Sequence, residues 1–210
     1  MSLSFYIKQE NLHILNVRQL VWKTKMGGMH MAVIVVYGDG NDHEVAETLL
    51  DALQEYGGAV HVQNGKIKAR QKSSEHLVYE TDTLPALDLP HGIVVFKSRC
   101  AHEGAAHLPD TVTAVIDPDN TDALAIVRDA QVGTLTCGMS QKDTLTYSSF
   151  LTGGAMVSLQ RRITTLDGKT IEPCELKVSF DRDRGKYPLL AAVAVIFLTQ
   201  GMPPDNHLQC

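Results

Sequence analysis

Short apolar runs alternate with helical segments over the first two thirds of the chain. The first run covers residues 32–37, and apolar residues then recur at helical spacing over residues 45–53. Further short runs follow at residues 59–62, 77–79, 93–96, 112–116 and 132–137. Strands that are apolar throughout are typical of a parallel sheet covered by helices on both faces. The pattern therefore predicts an α/β fold with a mainly parallel sheet flanked by helices.

The last third of the chain follows a different pattern. Three segments alternate as strands do, at residues 145–150, 155–163 and 170–180. They are joined at Gly153-Gly154 and at Asp167-Gly168, which are hairpin signals. We therefore expect an antiparallel ribbon in the C-terminal third that joins the parallel sheet.

Two more helices are indicated by their boundaries. One helix extends to Ala130, and its N-terminal cap is expected at Asn120 or Thr121. The closing helix begins at Pro188, because proline loses little at an early helical position. It is expected to pack apolar residues inward, namely Leu189, Val193, Ile196 and Phe197.

Composition and charge narrow the function classes. The 210 residues are 44% hydrophobic, and 19 Lys and Arg stand against 24 Asp and Glu, a net charge of -5. No excess positive field is present to attract a nucleic acid. Four widely spaced cysteines without a preceding signal peptide favour a reduced cytoplasm, and no apolar run reaches the roughly 20 residues of a membrane span. We expect a cytoplasmic protein that binds neither nucleic acid nor membrane.

The domain organisation is expected to be simple. Residues 1–30 show no sustained pattern and are interpreted as an N-terminal arm outside the domain, and residues 31–210 as a single α/β domain. A weakly covered sheet edge or the apolar last helix offers a surface for a homodimer.

Two glycine-containing turns invite a phosphate-binding interpretation. Gly38 and Asp39 follow the first strand, where open parallel sheets bind ligands, but His43 occupies the place of the third glycine of the dinucleotide motif. Asp39 and Asp42 put carboxylates where a phosphate would lie, so an ordinary turn is favoured. Gly168-Lys169-Thr170 resembles the end of a phosphate-binding loop, yet it falls in a predicted hairpin.

Two further loops follow predicted strands, and if these strands are neighbours in the sheet, both loops open onto one crevice at its edge. The first contains Asp117, Asp119 and Asn120, and the second contains Gly138, Ser140 and Asp143. Such a crevice suits the hydrogen bonds of an adenine or a sugar. Ordinary caps and turns explain the same residues, and both interpretations stay open.

A loop rich in histidine is the weakest candidate. Cys100, His102 and His107 are residue types that ligate zinc, but their spacing matches no structural zinc site. A solvated loop is the favoured explanation, and no metal is predicted.

The order of these elements resembles the central, ATP-binding domain of the Mur ligases, which build the peptidoglycan precursor. Four segments carry the resemblance: residues 111–120 read TVTAVIDPDN, residues 134–138 TLTCG, residues 159–180 LQRRITTLDGKTIEPCELKVSF and residues 187–202 YPLLAAVAVIFLTQGM. They are similar to the family's strand ending in Asn-Ala-Asp-Asp, its strand ending in Thr-Phe-Gly, its antiparallel hairpins and its following helix. The resemblance implies the family's fold and an ATP or ADP ligand.

Departures from the family weaken the implied activity. The loop after the first strand lacks the family's phosphate-binding lysine, and Asp117 replaces an asparagine that helps to hold adenine. Tyr187 and Leu190 stand where the last helix carries asparagines in the family. We therefore expect a non-catalytic accessory or regulatory binding protein, for which a protein partner is expected. A nucleotide-binding module without ATP hydrolysis, and an enzyme that uses the loop with His102 and His107, are the alternatives.

Overall fold

A seven-stranded sheet occupies the centre of the computed structural model, which describes residues 31–69, 71, 74–101, 108–182 and 184–210. Its strands are β1 (Ala32–Tyr37), β2 (Ala59–Gln63), β3 (Lys66–Ala69), β4 (His76–Thr81), β5 (Gly92–Phe96), β6 (Val112–Ile116) and β7 (Gly133–Thr136). Side by side they run β3-β2-β4-β1-β5-β6-β7, and neighbours are parallel except β2 with β3. The mainly parallel sheet is confirmed.

Helices cover both faces of this sheet. They are α1 (Glu44–Ala52), α2 (Thr121–Ala130) and α3 (Lys186–Gln200). Alternate residues of each strand point to opposite faces, so Ile34 and Val36 of β1 pack with α1 and α3, whereas Val33 and Val35 pack with α2. The apolar strands predicted from the sequence are apolar because both of their faces are buried.

The helix α3 is buried on all sides rather than along one stripe. Every residue from 187 to 198 is buried, because a second sheet packs on the side of α3 that faces away from β1. The inward positions expected from the sequence, Leu189 and Val193 among them, are therefore only part of its buried surface. Among the described residues, no helix combines the length and the apolar character that crossing a membrane requires.

The second sheet is antiparallel, apart from its last strand. It contains β8 (Leu145–Leu151), β9 (Gly154–Leu159), β12 (Cys174–Ser179) and β13 (His207–Gln209), while β10 (Ile163–Thr164) and β11 (Thr170–Ile171) form a separate hairpin. The four strands lie in the order β13-β12-β9-β8, and β13 pairs parallel with β12.

The predicted ribbon is confirmed, but it forms a sheet of its own instead of extending the first. A bridge between Cys137 and Leu145 links the two sheets. The expected strand over residues 170–180 is interrupted at Pro173, which has no N–H to donate to a ladder. The expectations for residues 1–30 and for His102 and His107 lie outside the described residues.

A buried histidine makes the stability of this fold dependent on pH. His76 is buried at the start of β4, where its Nδ1–H donates to the Gly58 carbonyl at 3.0 Å and its Nε2 accepts from the Gln200 amide at 3.1 Å. This arrangement suits a neutral ring. Burial lowers the pKa of His76 below its usual 6.5, although the Gly58 bond and Glu75 act in the opposite direction.

We predict that the free energy of unfolding falls as the pH drops below about 6.5, because the unfolded state then binds a proton that the folded His76 resists. Urea denaturation of the wild type and of His76→Gln between pH 7.5 and 5 measures this effect. The variant is expected to show a smaller loss of stability over that range, whatever its stability at pH 7.5. Equal losses in the two proteins would contradict the prediction.

Candidate functional site

The carboxyl end of β1 lies where the chain reverses its direction across the sheet. From β1 the chain passes through α1 to β2, which lies beyond β4 on one side of β1. Strand β5 lies on the other side of β1. Parallel α/β sheets bind ligands at this reversal, outside the carboxyl ends of the strands. Gly38 and Asp39, both predicted as site residues, follow β1 at this position.

A buried ion pair occupies this position. Lys97 follows β5 and has an exposure of 0%, and Glu80 of β4 has an exposure of 3%. The Lys97 ammonium donates to Glu80 Oε1 at 2.8 Å and to the Asp39 carbonyl at 2.9 Å. One ammonium thus links the carboxyl ends of β4, β1 and β5.

Two histidines complete the surroundings of Glu80. His43 Nδ1 lies 2.8 Å from Oε1, and His61 Nε2 lies 3.0 Å from Oε2. Burial by itself raises the pKa of Glu80, but the hydrogen bonds from His61, Lys97 and His43 outweigh it and lower this pKa to about 2. Glu80 is therefore a carboxylate at neutral pH.

None of the four residues of this cluster is among the site residues predicted from the sequence. Its members come from the N-cap of α1, from β2, from β4 and from the residue after β5, so only the strand order brings them together. A signal was present, since Glu80 and Lys97 are charged residues in or beside apolar strand segments. Charged residues are rarely fully buried unless they are paired, which makes such positions worth examining in a sequence.

The loop after β1 satisfies its own backbone donors. Asp39 Oδ1 accepts from the Asn41 N–H at 2.9 Å, and Asp42 Oδ1 accepts from the Glu44 N–H at 3.1 Å. Glu44 and Glu47 also place negative charge in the first turn of α1. A phosphate needs free backbone donors and positive potential at such a place, and this loop offers carboxylates instead.

Gly38 shows how tightly this loop is packed. Its φ is 148°, and a Cβ added there would lie 2.4 Å from the Arg99 carbonyl oxygen and 2.7 Å from Lys97 Cβ. The glycine is needed for this close approach, and it leaves no cradle above the strand end.

The predicted residues after β6 include one whose polar groups are already engaged. Asn120 is the N-cap of α2, as expected, and its Oδ1 accepts from the Ala123 N–H at 3.0 Å. Its amide also donates to the Lys97 carbonyl at 2.8 Å, and the side chain is buried. Asn120 therefore holds the loop after β6 against the residues after β5.

The loops after β6 and β7 meet, as their neighbouring strands predict. A Cβ added at Gly138 would lie 2.6 Å from Pro118 Cγ and 2.4 Å from Asp143 Oδ2. Asp143 is buried and accepts from the Ser140 N–H at 2.9 Å. Asp119 and Ser140 are the exposed members of the predicted set here.

The predicted site residues thus form two groups. Gly38 and Asp39 form the first group and lie beside the ion pair. The other six predicted site residues form the second group, in the loops after β6 and β7. The residues after β5 lie between these two groups. Asp117 belongs to the second group. Burial raises its pKa, a hydrogen bond from the Asp119 N–H lowers it, and the charges of Asp119 and Asp143 raise it further.

The cysteines near this edge are suited to packing. Burial raises the pKa of Cys100, whose Sγ contacts the Asn120 amide, and burial also raises the pKa of Cys137. Both thiols stay protonated at neutral pH, which does not suit a nucleophile. In the part of the chain that the structure describes, no group of three or more His, Cys, Asp or Glu is arranged to hold a metal ion.

A separate groove of about 570 Å³ lies along α1, between the helix and β8. Thr48 and Asp51 of α1 line one side, and Tyr147, Phe150 and Arg184 line other parts. Its lining includes none of the predicted site residues.

No protein-family model and no curated protein sequence matches this chain. Solved structures do. The UDP-N-acetylmuramoylalanyl-D-glutamyl-2,6-diaminopimelate--D-alanyl-D-alanyl ligase from Acinetobacter baumannii matches with a TM-score of 0.52 at 12% identity, over 89% of this chain and 46% of the ligase. The UDP-N-acetylmuramate:L-alanyl-gamma-D-glutamyl-meso-diaminopimelate ligase from Neisseria meningitides matches with a TM-score of 0.52 at 15% identity, over 89% of this chain and 66% of the ligase.

These likenesses establish the fold. The chain has a Mur ligase central-domain-like architecture, and the similarity extends well beyond the second half of the chain, where the sequence resemblance lies. The chain spans less than half the length of the first of these ligases.

We predict that Lys97→Met lowers the free energy of unfolding by about 3 kcal/mol, because it leaves the buried Glu80 carboxylate without its cation. Guanidinium denaturation at pH 7 measures the change. Arg128→Met is the matched control, since the ion pair of Arg128 with Asp129 is exposed and its loss should cost less than about 1 kcal/mol. Equal effects of the two substitutions would show that the buried pair is not a main source of stability.

Proposed function

We propose that this chain is a non-catalytic binding protein of the Mur ligase fold, with an accessory or regulatory role in a bacterial cytoplasm. The observation that carries the proposal is the loop after β1. Asp39 and Asp42 occupy backbone donors of that loop, and the nearby lysine, Lys97, is buried against Glu80. The relatives named above are ligases of muramoyl peptides, and by analogy we place the role in cell-wall precursor synthesis.

The physical argument concerns the β- and γ-phosphates of ATP. Hydrolysis or transfer by a phosphate-binding loop requires a glycine-rich backbone cradle, a lysine that reaches the phosphates and a bound magnesium ion. Here the loop carries carboxylates that repel a triphosphate. Freeing Lys97 would leave Glu80 as a buried carboxylate without a cation, which is strongly unfavourable.

A second candidate function is the binding of an adenine or a ribose without ATP hydrolysis. It is supported by the contact between the loops after β6 and β7, the loops that carry Asp117, Asp119 and Ser140. Carboxylate and hydroxyl groups suit the hydroxyls of a ribose. This candidate shares the main proposal's central point, since the phosphates would make no specific contact in either case.

Adenosine, ADP and ATP, each with and without magnesium, distinguish the two candidates in a thermal-shift titration. A ligand that binds the folded state raises Tm by mass action. The non-catalytic binding protein is expected to show no saturable shift with any of the three compounds. The nucleotide module is expected to show equal shifts with adenosine and ATP, and these should disappear in the double variant Asp117→Ala, Ser140→Ala.

A larger shift with magnesium and ATP than with adenosine would overturn both candidates, because it requires a phosphate site. The control for the loop after β1 is the double variant Asp39→Asn, Asp42→Asn. It removes two negative charges and leaves the crevice at the loops after β6 and β7 unchanged, so it should not alter an adenosine shift.

A further inference from the structure

The strands at the edges of the two larger sheets differ in how they are protected. An exposed edge strand is a template for pairing with another chain, and proteins commonly blunt it with charge, short length or a covering segment. In the described chain, β3 carries exposed Lys66 and Lys68, and β13 has three residues. The β7 edge is covered, since the Thr144 N–H donates to the Thr136 carbonyl at 3.0 Å.

Within the described residues, β8 has neither charged side chains of its own nor a covering strand over most of its length, and the Lys186 ammonium lies 5.6 Å from the centre of the Phe150 ring. The strand is seven residues long, lies at the end of its sheet, and is exposed from residue 148 to 151. Phe150 is 55% exposed and Leu151 is 47% exposed. A bulge lies between Tyr147 and Ser149, but residues 149–151 are paired in regular register with β9 on the inner side.

Charge selects a second copy of this chain as the partner for that edge. The chain has a net charge of -5, so two copies repel each other unless they meet where the surface carries no acidic residue. Residues 144–160, which contain β8 and β9, include no Asp, Glu, Lys or Arg. In an antiparallel pair of such strands, no like charges lie opposite each other. Like charges in that position would oppose self-pairing.

We propose that β8 pairs antiparallel with β8 of a second copy, forming a two-fold symmetric dimer in which the four-stranded sheets become continuous. Such a contact is isologous, because the same strand serves both copies. It buries Phe150 and Leu151 and lies at the lower end of the size range of specific interfaces. The dimer therefore forms reversibly and depends on concentration. The other surface considered in the sequence analysis, the last helix, is buried as α3.

Sedimentation velocity of the full chain from about 1 to 300 μM tests this dimer, a range that spans weak association. A monomer–dimer equilibrium is expected. Leu151→Lys and Phe150→Lys should each raise the dissociation constant about tenfold or more, because each introduces like charges across the two-fold axis. Ile67→Lys is the matched control: Ile67 is 50% exposed on β3, an edge strand of the seven-stranded sheet, and its substitution should leave the equilibrium unchanged.

Hydrogen exchange at both ends of the concentration range reports the backbone pairing itself. The amides of residues 146–151 that do not already donate to β9 should be more protected at high concentration, while those of β3 should not change. A wild-type chain that stays monomeric throughout overturns the proposal. So does a dimer that Ile67→Lys weakens as much as Leu151→Lys. Complete protection, at the lowest concentration, of the amides that face away from β9 would also overturn it, because another segment of the same chain would then cover the edge.

Discussion

The ammonium group of Lys97 holds together three strand ends at the reversal point of the sheet, where parallel α/β folds bind ligands. It lies between the Glu80 carboxylate and the Asp39 carbonyl, and it thereby joins strands β4, β1 and β5 at their carboxyl ends. A buried charge is tolerated only when its partners satisfy it. Because Lys97 and Glu80 are each buried, neither can turn toward a ligand unless the other gains a new partner. The loop after β1, the N-terminus of α1 and the residues after β5 are all arranged around this requirement.

Because of this buried ion pair and the loop beside it, a likeness in fold does not by itself imply a likeness in chemistry. The architecture is similar to that of Mur ligase central domains, and in this chain the loop after the first strand lies at the reversal point of the sheet. In this chain, the loop carries Asp39 and Asp42, whose carboxylates accept from backbone N–H groups of the loop and of α1. Sheet topology determines where a ligand can approach, whereas the side chains at that place determine which charge it must have. A fold-level likeness therefore supports a location for the site more firmly than it supports an activity.

In the second half of the molecule, packing depends mainly on the burial of apolar side chains. The helix α3 lies between the two sheets, and this position explains why its sequence is apolar on every side. Near the N-terminus of α3, the Tyr187 hydroxyl donates a hydrogen bond to the Phe96 carbonyl at the end of β5. This contact holds the helix against the strand end that Lys97 follows. On the α1 side, Arg184 pairs with Asp51 at 2.8 Å and with Glu47, which fastens the segment before α3 to the first helix. The antiparallel sheet is thus held to the parallel one through α3 and its flanking residues.

The amino-acid sequence by itself determined the three helices, most of the strands, the parallel character of the first sheet, the Asn120 cap and the hairpin turns at Gly153 and Gly168, whereas β3 and β13 were not predicted. These features depend on periodicity and on turn and cap residues, which act between neighbours along the chain. It also placed the loops after β6 and β7 at one edge, since both follow consecutive parallel strands. Only the tertiary structure decided that His43, His61, Glu80 and Lys97 form one cluster and that α3 lies between two separate sheets. The physical reason is that these contacts depend on the order in which distant strands lie side by side, and on the requirement that buried charges find partners, neither of which a local pattern contains.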